Sequence, residues 1–270
     1  MGELDGKVAI VTGAGRLRSI GYSASMALAE LGCDIVVTGT GRDPSTFPPD
    51  EQKIGWQDIE STADHVREKG QRALPIIVDV TSAADTEMMM DRTLTEFGRV
   101  DILINNAAMA IGKDRVPIVD LEPDIFQKVM DIKARGTYLC SKVVVKQLIK
   151  QGQGGKIVTV ASAAGKRGSA NALAYNAANF AQVGMTQSLA QELGHHNINV
   201  NCVCPAAVDT SRMDRFGRSE EWEKMEKAHP IGRAGTPEEV GAFMAYLCTE
   251  AASWITGQSI NIDGGSVMEH

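Results

Sequence analysis

Short apolar runs rich in valine and isoleucine alternate along the chain with longer segments in which apolar residues recur every three or four positions. Continuous apolar runs are typical of parallel strands buried on both faces, and the longer period is typical of amphipathic helices. The runs occupy residues 7–12, 34–38, 73–80, 100–105, 156–161, 197–203 and 259–263. The helical segments occupy residues 20–31, about 57–69, 82–97, 122–151, 173–193 and 237–251. This alternation predicts an α/β fold in which about seven parallel strands form a doubly wound sheet flanked by helices.

Two segments show neither period. Residues 41–55 are rich in proline and follow the second predicted strand, and residues 209–235 follow the sixth. No composition break, repeat or low-complexity linker divides the chain, so residues 1–270 are interpreted as a single domain. Open α/β sheets bind ligands at the carboxyl ends of their strands. We therefore expect the first segment to flank a ligand and the second to form a substrate lid.

Composition narrows the class of partner. The chain of 270 residues has 27 basic and 34 acidic side chains, a net charge of −7 and no basic tract longer than two residues. This argues against a nucleic-acid surface and favours small-molecule partners. The five cysteines are scattered through apolar segments and are interpreted as reduced core residues. No run approaches the roughly 20 apolar residues of a membrane span, and residues 1–13 lack a signal-peptide pattern, so we expect a cytoplasmic protein without membrane contact.

Metal-ligating residue types do not form a recognisable site in the sequence. His195 and His196 are adjacent, so on a helix their side chains point apart. Cys202 and Cys204 share one face of a predicted strand but need two further ligands. We predict no metal.

The first predicted strand leads into a glycine-containing loop. The sequence VTGAGRLRSIGYSASMALAELG at 11–32 predicts a strand, a loop and a helix in that order. The free backbone amides at the start of such a helix bind phosphate groups. Because this loop opens the first of several successive β–α units, it predicts a dinucleotide site.

Motifs spread over nearly the whole chain point to one protein family. A Thr-Gly-x-x-x-Gly-x-Gly loop is matched by Thr12, Gly13 and Gly21, with a two-residue expansion and Ser19 in place of the middle glycine. Further segments are VDV at 78–80, NNAA at 105–108, CPAAVDT at 204–210 and WITGQSINIDGG near the C-terminus. Together they resemble the short-chain dehydrogenase/reductase family. The resemblance implies a Rossmann-like fold and a nicotinamide cofactor.

The resemblance also implies a set of cofactor contacts, with Asp79 and Val80 beside the adenine. The predicted cofactor-binding residues are Gly13, Arg16, Ser19, Ile20, Gly21, Thr40, Arg42, Asp79, Val80, Asn106, Ala107, Tyr175, Asn179, Pro205, Val208 and Thr210.

The residue at the end of the second strand distinguishes NAD from NADP, because a carboxylate there binds the ribose 2′-hydroxyl and repels a 2′-phosphate. Gly39 stands at that position, followed by Thr40, and Arg42 and Arg16 can offer guanidinium donors to a phosphate. NADP(H) is therefore predicted in preference to NAD(H). The alternative is that both arginines are solvated surface charges, and Asp43 lies nearby.

A serine and a tyrosine have the spacing of the family's catalytic pair. Ser162 ends the fifth predicted strand and precedes Tyr175 by 13 residues. In the family, the serine polarises a carbonyl and the tyrosine exchanges a proton with its oxygen while a hydride moves between the nicotinamide and the carbon. A phenol with a pKa near 10 needs a cation to stabilise its anion at neutral pH. The family supplies a lysine four residues after the tyrosine, but here that position is Asn179.

A second departure lies in DIKARGT at 131–137. When this segment is aligned on its Gly-Thr pair, the asparagine of the family's Asn-Ser-Tyr-Lys tetrad falls at Lys133. Asparagine and lysine are thus exchanged between the two positions. We interpret Lys133 as the cation that lowers the pKa of Tyr175, and Asn179 as a ligand of the nicotinamide ribose, because an amide offers donors and an acceptor. The alternative is that Lys133 extends into solvent and the protein is inactive.

These residues predict an NADP(H)-dependent alcohol dehydrogenase or ketone reductase that transfers a hydride between the nicotinamide and a secondary alcohol or ketone. The resemblance implies a homotetramer in which the helices at 122–151 and 173–193 pack across one interface. One alternative is a non-catalytic NADP-binding protein that has lost the active-site lysine. Another is an enoyl reductase, prompted by RSIGYS at 18–23, although that group's Tyr-x6-Lys pattern would place the lysine at Ala181.

The sequence does not identify the substrate. Arginines at positions 212, 215 and 218 lie near the expected mouth of the site and could attract an acidic substrate. Glutamates at positions 220, 221 and 223 crowd the same segment, which favours a solvated surface instead.

Overall fold

The predicted sheet and its strands are confirmed. The computed structural model describes residues 2–217 and 219–269. Within these residues, seven parallel strands form one sheet in the order β3-β2-β1-β4-β5-β6-β7. The strands are β1 (Val8–Val11), β2 (Asp34–Gly39), β3 (Ala73–Ile77), β4 (Ile102–Asn105), β5 (Gly155–Val160), β6 (Ile198–Pro205) and β7 (Ser259–Ile262).

Helices connect the strands and cover the sheet. They are α1 (Ile20–Glu30), α2 (Pro49–Lys53), α3 (Ile59–Glu68), α4 (Ala83–Phe97), α5 (Pro123–Met130), α6 (Gly136–Gln151), α7 (Leu173–Leu193), α8 (Glu220–Lys227) and α9 (Pro237–Leu247). The short helices α2 and α8 lie in the two segments for which the sequence predicted no regular structure. Both are too short or too polar for a clear apolar period, so hydrophobic patterning could not find them.

The core lies on both faces of the sheet. Neighbouring positions of a strand point to opposite faces. Ile10 of β1 belongs to a buried cluster with Leu103 and Leu148, and Val11 belongs to another cluster with Leu28 and Met244. Because helices cover both faces, adjacent strand positions are apolar, which explains the unbroken valine and isoleucine runs.

The strand order reverses between β1 and β4. From β1 the chain proceeds to β2 and β3 on one side, and β4 to β7 occupy the other side. Ile10 of β1 pairs with Val36 of β2 and with Leu103 of β4. At such a switch point the connections leave in opposite directions and open a crevice at the carboxyl ends of the strands. This crevice positions the loops described below.

A π-helical segment interrupts the predicted helix at 122–151. The segment Asp131–Arg135 lies between α5 and α6 and contains Lys133. Gln182 of α7 donates its side-chain N–H to the carbonyl of Lys133 at 3.2 Å, so a neighbouring helix satisfies part of the altered backbone. A Cβ added to Gly136 would lie 2.7 Å from Cγ2 of Val80, so glycine permits the helix to approach the segment that follows β3 closely. Single-turn π-helices of this kind occur frequently at functional sites.

Two features are absent from the described residues: a membrane-spanning helix and a cluster of metal-ligating side chains. None of the helices in residues 2–217 and 219–269 combines the length and apolar character that a bilayer crossing requires. Over the same residues, no three histidine, cysteine, aspartate or glutamate side chains are grouped as metal ligands would be.

Candidate functional site

A cavity of about 1010 Å³ lies at the carboxyl ends of the strands. It extends from the end of β2, past the loop before α1, to Ser162 and Tyr175. The predicted cofactor-binding residues in its wall are Gly13, Arg16, Ser19, Ile20, Thr40, Arg42, Asp79, Val80, Asn106, Ala107, Tyr175, Pro205, Val208 and Thr210. The predicted catalytic residues in its wall are Ser162, Tyr175 and Lys133. Its volume, and a wall that runs from β2 to Tyr175, suit a dinucleotide with a small substrate at one end.

Hydrogen bonds hold the glycine-containing loop in place. The hydroxyl of Thr12 accepts from the backbone N–H groups of Asn106 at 2.9 Å and Ala107 at 3.1 Å. Gly13 has a φ of +67°, and a Cβ there would lie 2.8 Å from the Cα of Ala107. Ser19 caps α1, because its hydroxyl accepts from the N–H of Tyr22 at 3.1 Å. The helix start and the missing Cβ form a cradle that fits a diphosphate.

Gly21, a predicted cofactor-binding residue, does not line the cavity. It lies inside α1 and is not part of the cavity wall. A Cβ at this position would lie 2.5 Å from Nδ2 of Asn106 and 2.9 Å from the carbonyl oxygen of Gly13. Gly21 therefore allows the helix to pack closely against the loop, and its predicted cofactor contact stays a prediction.

The two arginines at the end near β2 are paired with buried carboxylates. Nε of Arg16 donates to Oε1 of Glu51 at 3.1 Å, and Glu51 is fully buried. A terminal nitrogen of Arg42 donates to Oδ1 of Asp58 at 2.6 Å. Neither arginine is the solvated surface charge of the alternative interpretation. Each guanidinium is also already bound to a carboxylate, which would compete with a cofactor phosphate for it.

Asp58 lies between the glycine-containing loop and the end of β2. A Cβ on Gly15 would lie 2.0 Å from Oδ1 of Asp58, and a Cβ on Gly39 would lie 3.6 Å from Oδ2. Asp58 has a φ of +51° and is 4% exposed. Its carboxylate thus occupies the region where an acid at the end of β2 would stand. Sequence reasoning missed it because Asp58 is far along the chain from Gly39.

Ser162 and Tyr175 meet at the other end of the cavity. Ser162 follows β5, and Tyr175 lies in the first turns of α7. Burial raises the pKa of the Tyr175 phenol, but Lys133, Arg212 and a hydrogen bond with Ser162 oppose burial and lower the pKa to about 8. A phenol with that pKa can exchange a proton near neutral pH.

Lys133 is buried beside this phenol and does not extend into solvent. It is 3% exposed, and its Nζ lies 5.6 Å from the ring centroid of Tyr175. The same Nζ donates to the carbonyl oxygen of Val160 at 3.2 Å. Burial lowers the pKa of the ammonium to about 8, against the attraction of Tyr175. In residues 2–217 and 219–269, no carboxylate forms an ion pair with Lys133.

Asn179 does not reach the cavity. Its side chain is fully buried and absent from the cavity wall. Nδ2 of Asn179 donates to the backbone carbonyl of Tyr175, one turn earlier, at 2.7 Å. A Cβ on Gly165 would lie 3.3 Å from the Cβ of Asn179, so the loop after β5 covers this residue. The short amide turns back on its own helix, and this arrangement leaves the predicted ribose contact without support.

Two arginines near Tyr175 complete the site. Cζ of Arg115, from the connection between β4 and α5, lies 3.8 Å from the tyrosine ring centroid. Cζ of Arg212 lies 5.5 Å from it. Arg115 has no motif signal in the sequence and was missed. Arg212 was interpreted as a solvated charge, whereas here it lines the cavity; Arg218, named with it, lies outside the described residues.

Comparison with known proteins identifies the family. A family model described as enoyl-(acyl carrier protein) reductase matches residues 13–267. A short chain dehydrogenase/reductase of Aspergillus oryzae, astE, is 35% identical over 267 residues, which cover 97% of this chain and 95% of the relative. The chain belongs to the short-chain dehydrogenase/reductase family. It is accordingly an oxidoreductase of a family that uses a nicotinamide cofactor.

Solved structures of other short-chain dehydrogenases/reductases share the fold over almost the whole chain. The acetoin dehydrogenase of Enterobacter cloacae is 35% identical, with a TM-score of 0.80 over 96% of this chain and 95% of that chain. The carveol dehydrogenase of Mycobacterium avium, solved in complex with NAD, is 26% identical, with a TM-score of 0.88 over the full length of both chains.

Proposed function

We propose that this short-chain dehydrogenase/reductase transfers a hydride between a nicotinamide cofactor and a secondary alcohol or ketone, with Tyr175 as the acid and base. The observation that carries the proposal is the buried Tyr175 phenol, with a pKa of about 8, next to Ser162 and Lys133 at one end of a dinucleotide-sized cavity. The family includes relatives named as dehydrogenases of small alcohols, such as the acetoin and carveol enzymes.

The side chains have separate roles in the proposed reaction. A nicotinamide cofactor held in the cavity would supply the hydride for ketone reduction and accept it in alcohol oxidation. In ketone reduction, Tyr175 donates its phenolic proton to the carbonyl oxygen, and the hydroxyl of Ser162 donates a hydrogen bond to the same oxygen. In alcohol oxidation, the Tyr175 phenolate accepts the proton from the alcohol hydroxyl.

Lys133 is proposed to replace the lysine that the family carries one turn after the tyrosine. Its buried ammonium beside Tyr175 supports this role, because a cation close to a phenol favours the phenolate. The amide of Asn179 is turned toward the backbone of Tyr175 in the arrangement described above, so its ribose contact stays a prediction. Position 179, one turn after Tyr175, carries a compact asparagine instead of a lysine. This side chain packs under the loop at Gly165.

The preference for NADP(H) over NAD(H) stays a prediction. It is supported by the position of Arg16 and Arg42 in the cavity wall and by Gly39 at the end of β2. A specific observation favours NAD(H) as the second candidate: both arginines are paired with acids, and the Asp58 carboxylate lies at the end of β2.

The predicted homotetramer and cytoplasmic location also stay proposals. Tyr138 of α6 and Phe180 of α7 are 49% and 47% exposed, which supports contact between these helices and another copy of the chain.

The direct test is turnover of a panel of secondary alcohols and ketones with NAD(H) and NADP(H), followed by absorbance of the reduced nicotinamide. We expect turnover by the native chain, and a loss of at least about a hundredfold in Tyr175→Phe with cofactor binding retained. Cofactor binding without turnover of any alcohol or ketone would instead support the non-catalytic alternative. Turnover of an enoyl thioester alone would support an enoyl reductase.

A further inference from the structure

More positive charge surrounds Tyr175 than ionisation of one phenol requires. Lys133, Arg115 and Arg212 lie around its ring, with distances of 5.6, 3.8 and 5.5 Å from the ring centroid to Nζ, Cζ and Cζ respectively. One cation close to a phenol already shifts its ionisation substantially. The two arginines therefore need a further explanation.

Arg212 has a donor that lacks an acceptor. Its Nε is buried and has no hydrogen-bond partner among the described residues. A buried donor without an acceptor is costly, and such groups are typically satisfied when a ligand binds. The missing acceptor points to a group that arrives with the substrate.

The segment that carries Arg212 is held in place. The N–H of Ser211 donates to the carbonyl of Arg18 at 2.9 Å. The guanidinium of Arg18 also pairs with Asp214, one turn further along the same short helical segment. These contacts hold Arg212 at the cavity and close to Tyr175.

Nearby carboxylates balance only part of this charge. Arg115 lies 3.6 Å from the buried carboxylate of Asp114, measured from Nε to Oδ2. Asp124 and Asp131 also line the cavity, but within residues 2–217 and 219–269 neither forms an ion pair with Arg115 or Arg212. The substrate end of the cavity thus keeps an excess of positive charge.

We infer that the substrate is a carboxylate-bearing ketone or alcohol, whose carboxylate binds Arg212 in the cavity wall while its reacting oxygen meets Tyr175 and Ser162. Arg115, beside the Tyr175 ring, adds positive charge to this end of the site. The inference rests on the proposed function. A carboxylate accepts hydrogen bonds from planar guanidinium groups, and it supplies the acceptor that Nε of Arg212 lacks. A neutral ketone would leave that donor unpaired and the positive charge unopposed.

The two arginines have two other conceivable roles that an experiment must separate. They could serve only to lower the pKa of Tyr175, in which case acidic and neutral substrates would respond equally to their removal. Arg212 could instead bind the diphosphate of the cofactor, in which case its removal would weaken cofactor affinity.

The test compares matched substrates at pH 7 in the full-length chain. The ketones are 2-oxobutanoate, 3-oxobutanoate and 4-oxopentanoate, each beside its neutral methyl ester. The variants are Arg115→Gln and Arg212→Gln, with Arg92→Gln as a control, because Arg92 is an exposed residue of α4 outside the cavity. The readouts are kcat/KM for each ketone and the Kd of NADH and NADPH.

We expect the native chain to prefer at least one acid over its ester by about tenfold or more. Arg212→Gln should reduce that acid-to-ester ratio by about tenfold, mainly through KM. Arg115→Gln should reduce it by less, because Arg115 is paired with Asp114 and does not line the cavity, and Arg92→Gln should leave it unchanged. A native ratio near one for all three pairs would overturn the inference. So would an equal loss on acid and ester, or a loss confined to cofactor Kd.

Failure of the proposed function can be recognised separately. If no ketone is turned over, butyrate and butyramide are titrated calorimetrically into the chain with NADH present. Binding of butyrate but not butyramide, lost in Arg212→Gln, would retain the anion site although the proposed reaction fails. No difference between the two probes would overturn the anion site as well.

Discussion

The two ends of the cavity use cations in opposite ways. Near β2, Arg16 is paired with Glu51 and Arg42 with Asp58, and both acids are buried. Near Tyr175, Lys133 and Arg212 have no carboxylate partner within residues 2–217 and 219–269. A paired arginine fixes the shape of a loop, whereas an unpaired cation can act on a phenol or on a ligand.

The difference originates in the segment after β2. Glu51 of α2 and Asp58, just before α3, come from the region that the sequence marked only as proline-rich. Their carboxylates fold back onto the glycine-containing loop, where Glu51 also accepts from the N–H of Leu17 at 2.9 Å. At the catalytic end the buried Asp114 pairs with Arg115, but among the described residues no carboxylate pairs with Lys133 or Arg212, so these two charges remain available.

Removal of the unpaired cation at Lys133 should have the largest effect. In Lys133→Met, burial still raises the pKa of Tyr175 but the nearest lysine no longer opposes it, so the pKa should rise above 8. Alcohol oxidation requires the phenolate, and its kcat/KM at pH 7 should fall about ten- to hundredfold, because the phenolate fraction falls tenfold per pKa unit. The measurement is a pH profile, whose rise for oxidation should move to higher pH.

The exchange of lysine and asparagine gives this prediction a second readout. Lys133→Asn should lose most activity, and Lys133→Asn with Asn179→Lys should recover part of it. Lys146→Met provides the control, because Lys146 is exposed on α6. An unchanged pH profile in Lys133→Met would show that the cation at position 133 does not set the pKa of Tyr175. The unpaired cation at the catalytic end would then have no role in catalysis.

The fold was readable from the sequence because its signal is local. The valine and isoleucine runs around Ile10 and Leu103 indicate burial on both faces, and a strand lies at each of the seven runs. The π-helical segment around Lys133 was not predicted, since it depends on contacts with Gln182 and Val80 from distant parts of the chain. A hydrophobic period shows that a helix is present but not where its backbone changes pitch.

Removal of a paired acid near β2 should show what the pairing does at the cofactor end of the cavity. Asp58→Asn removes the carboxylate and frees Arg42, so the ratio of kcat/KM with NADPH to that with NADH should rise about tenfold. Asparagine suits this position because, like aspartate, it tolerates the positive φ of Asp58. Steady-state kinetics with both cofactors measures the ratio.

Glu60→Gln is the matched control, because Glu60 is an exposed acid in the first turn of α3. It should leave the cofactor ratio unchanged. An equal ratio in the native chain and Asp58→Asn would show that Asp58 only supports the loop, and that cofactor preference is decided elsewhere in the cavity wall.

The sequence did not predict which acids form ion pairs with the arginines of the site. Arg16 and Arg42 were predicted at the cavity and lie there, but their pairing with Glu51 and Asp58 depends on how the segment after β2 folds. Arg212 was interpreted as a solvated charge because glutamates follow it in the sequence. Sequence proximity therefore misjudged which acids neutralise which arginines, since pairing is decided in three dimensions.

The smallest expected effect concerns stability at the paired end. Glu51→Gln keeps an acceptor for Leu17 but removes the charge opposite Arg16, so the free energy of unfolding should fall by about 1–3 kcal/mol. Thermal unfolding should show this as a lower Tm, whereas Glu220→Gln, whose side chain is 93% exposed, should change stability by less than about 0.5 kcal/mol. If Glu51→Gln instead keeps full stability and strengthens NADPH binding, Arg16 binds the ligand and Glu51 competes with the ligand for it. The arginines at both ends of the cavity would then bind ligands, and the contrast between the two ends would be smaller than argued above.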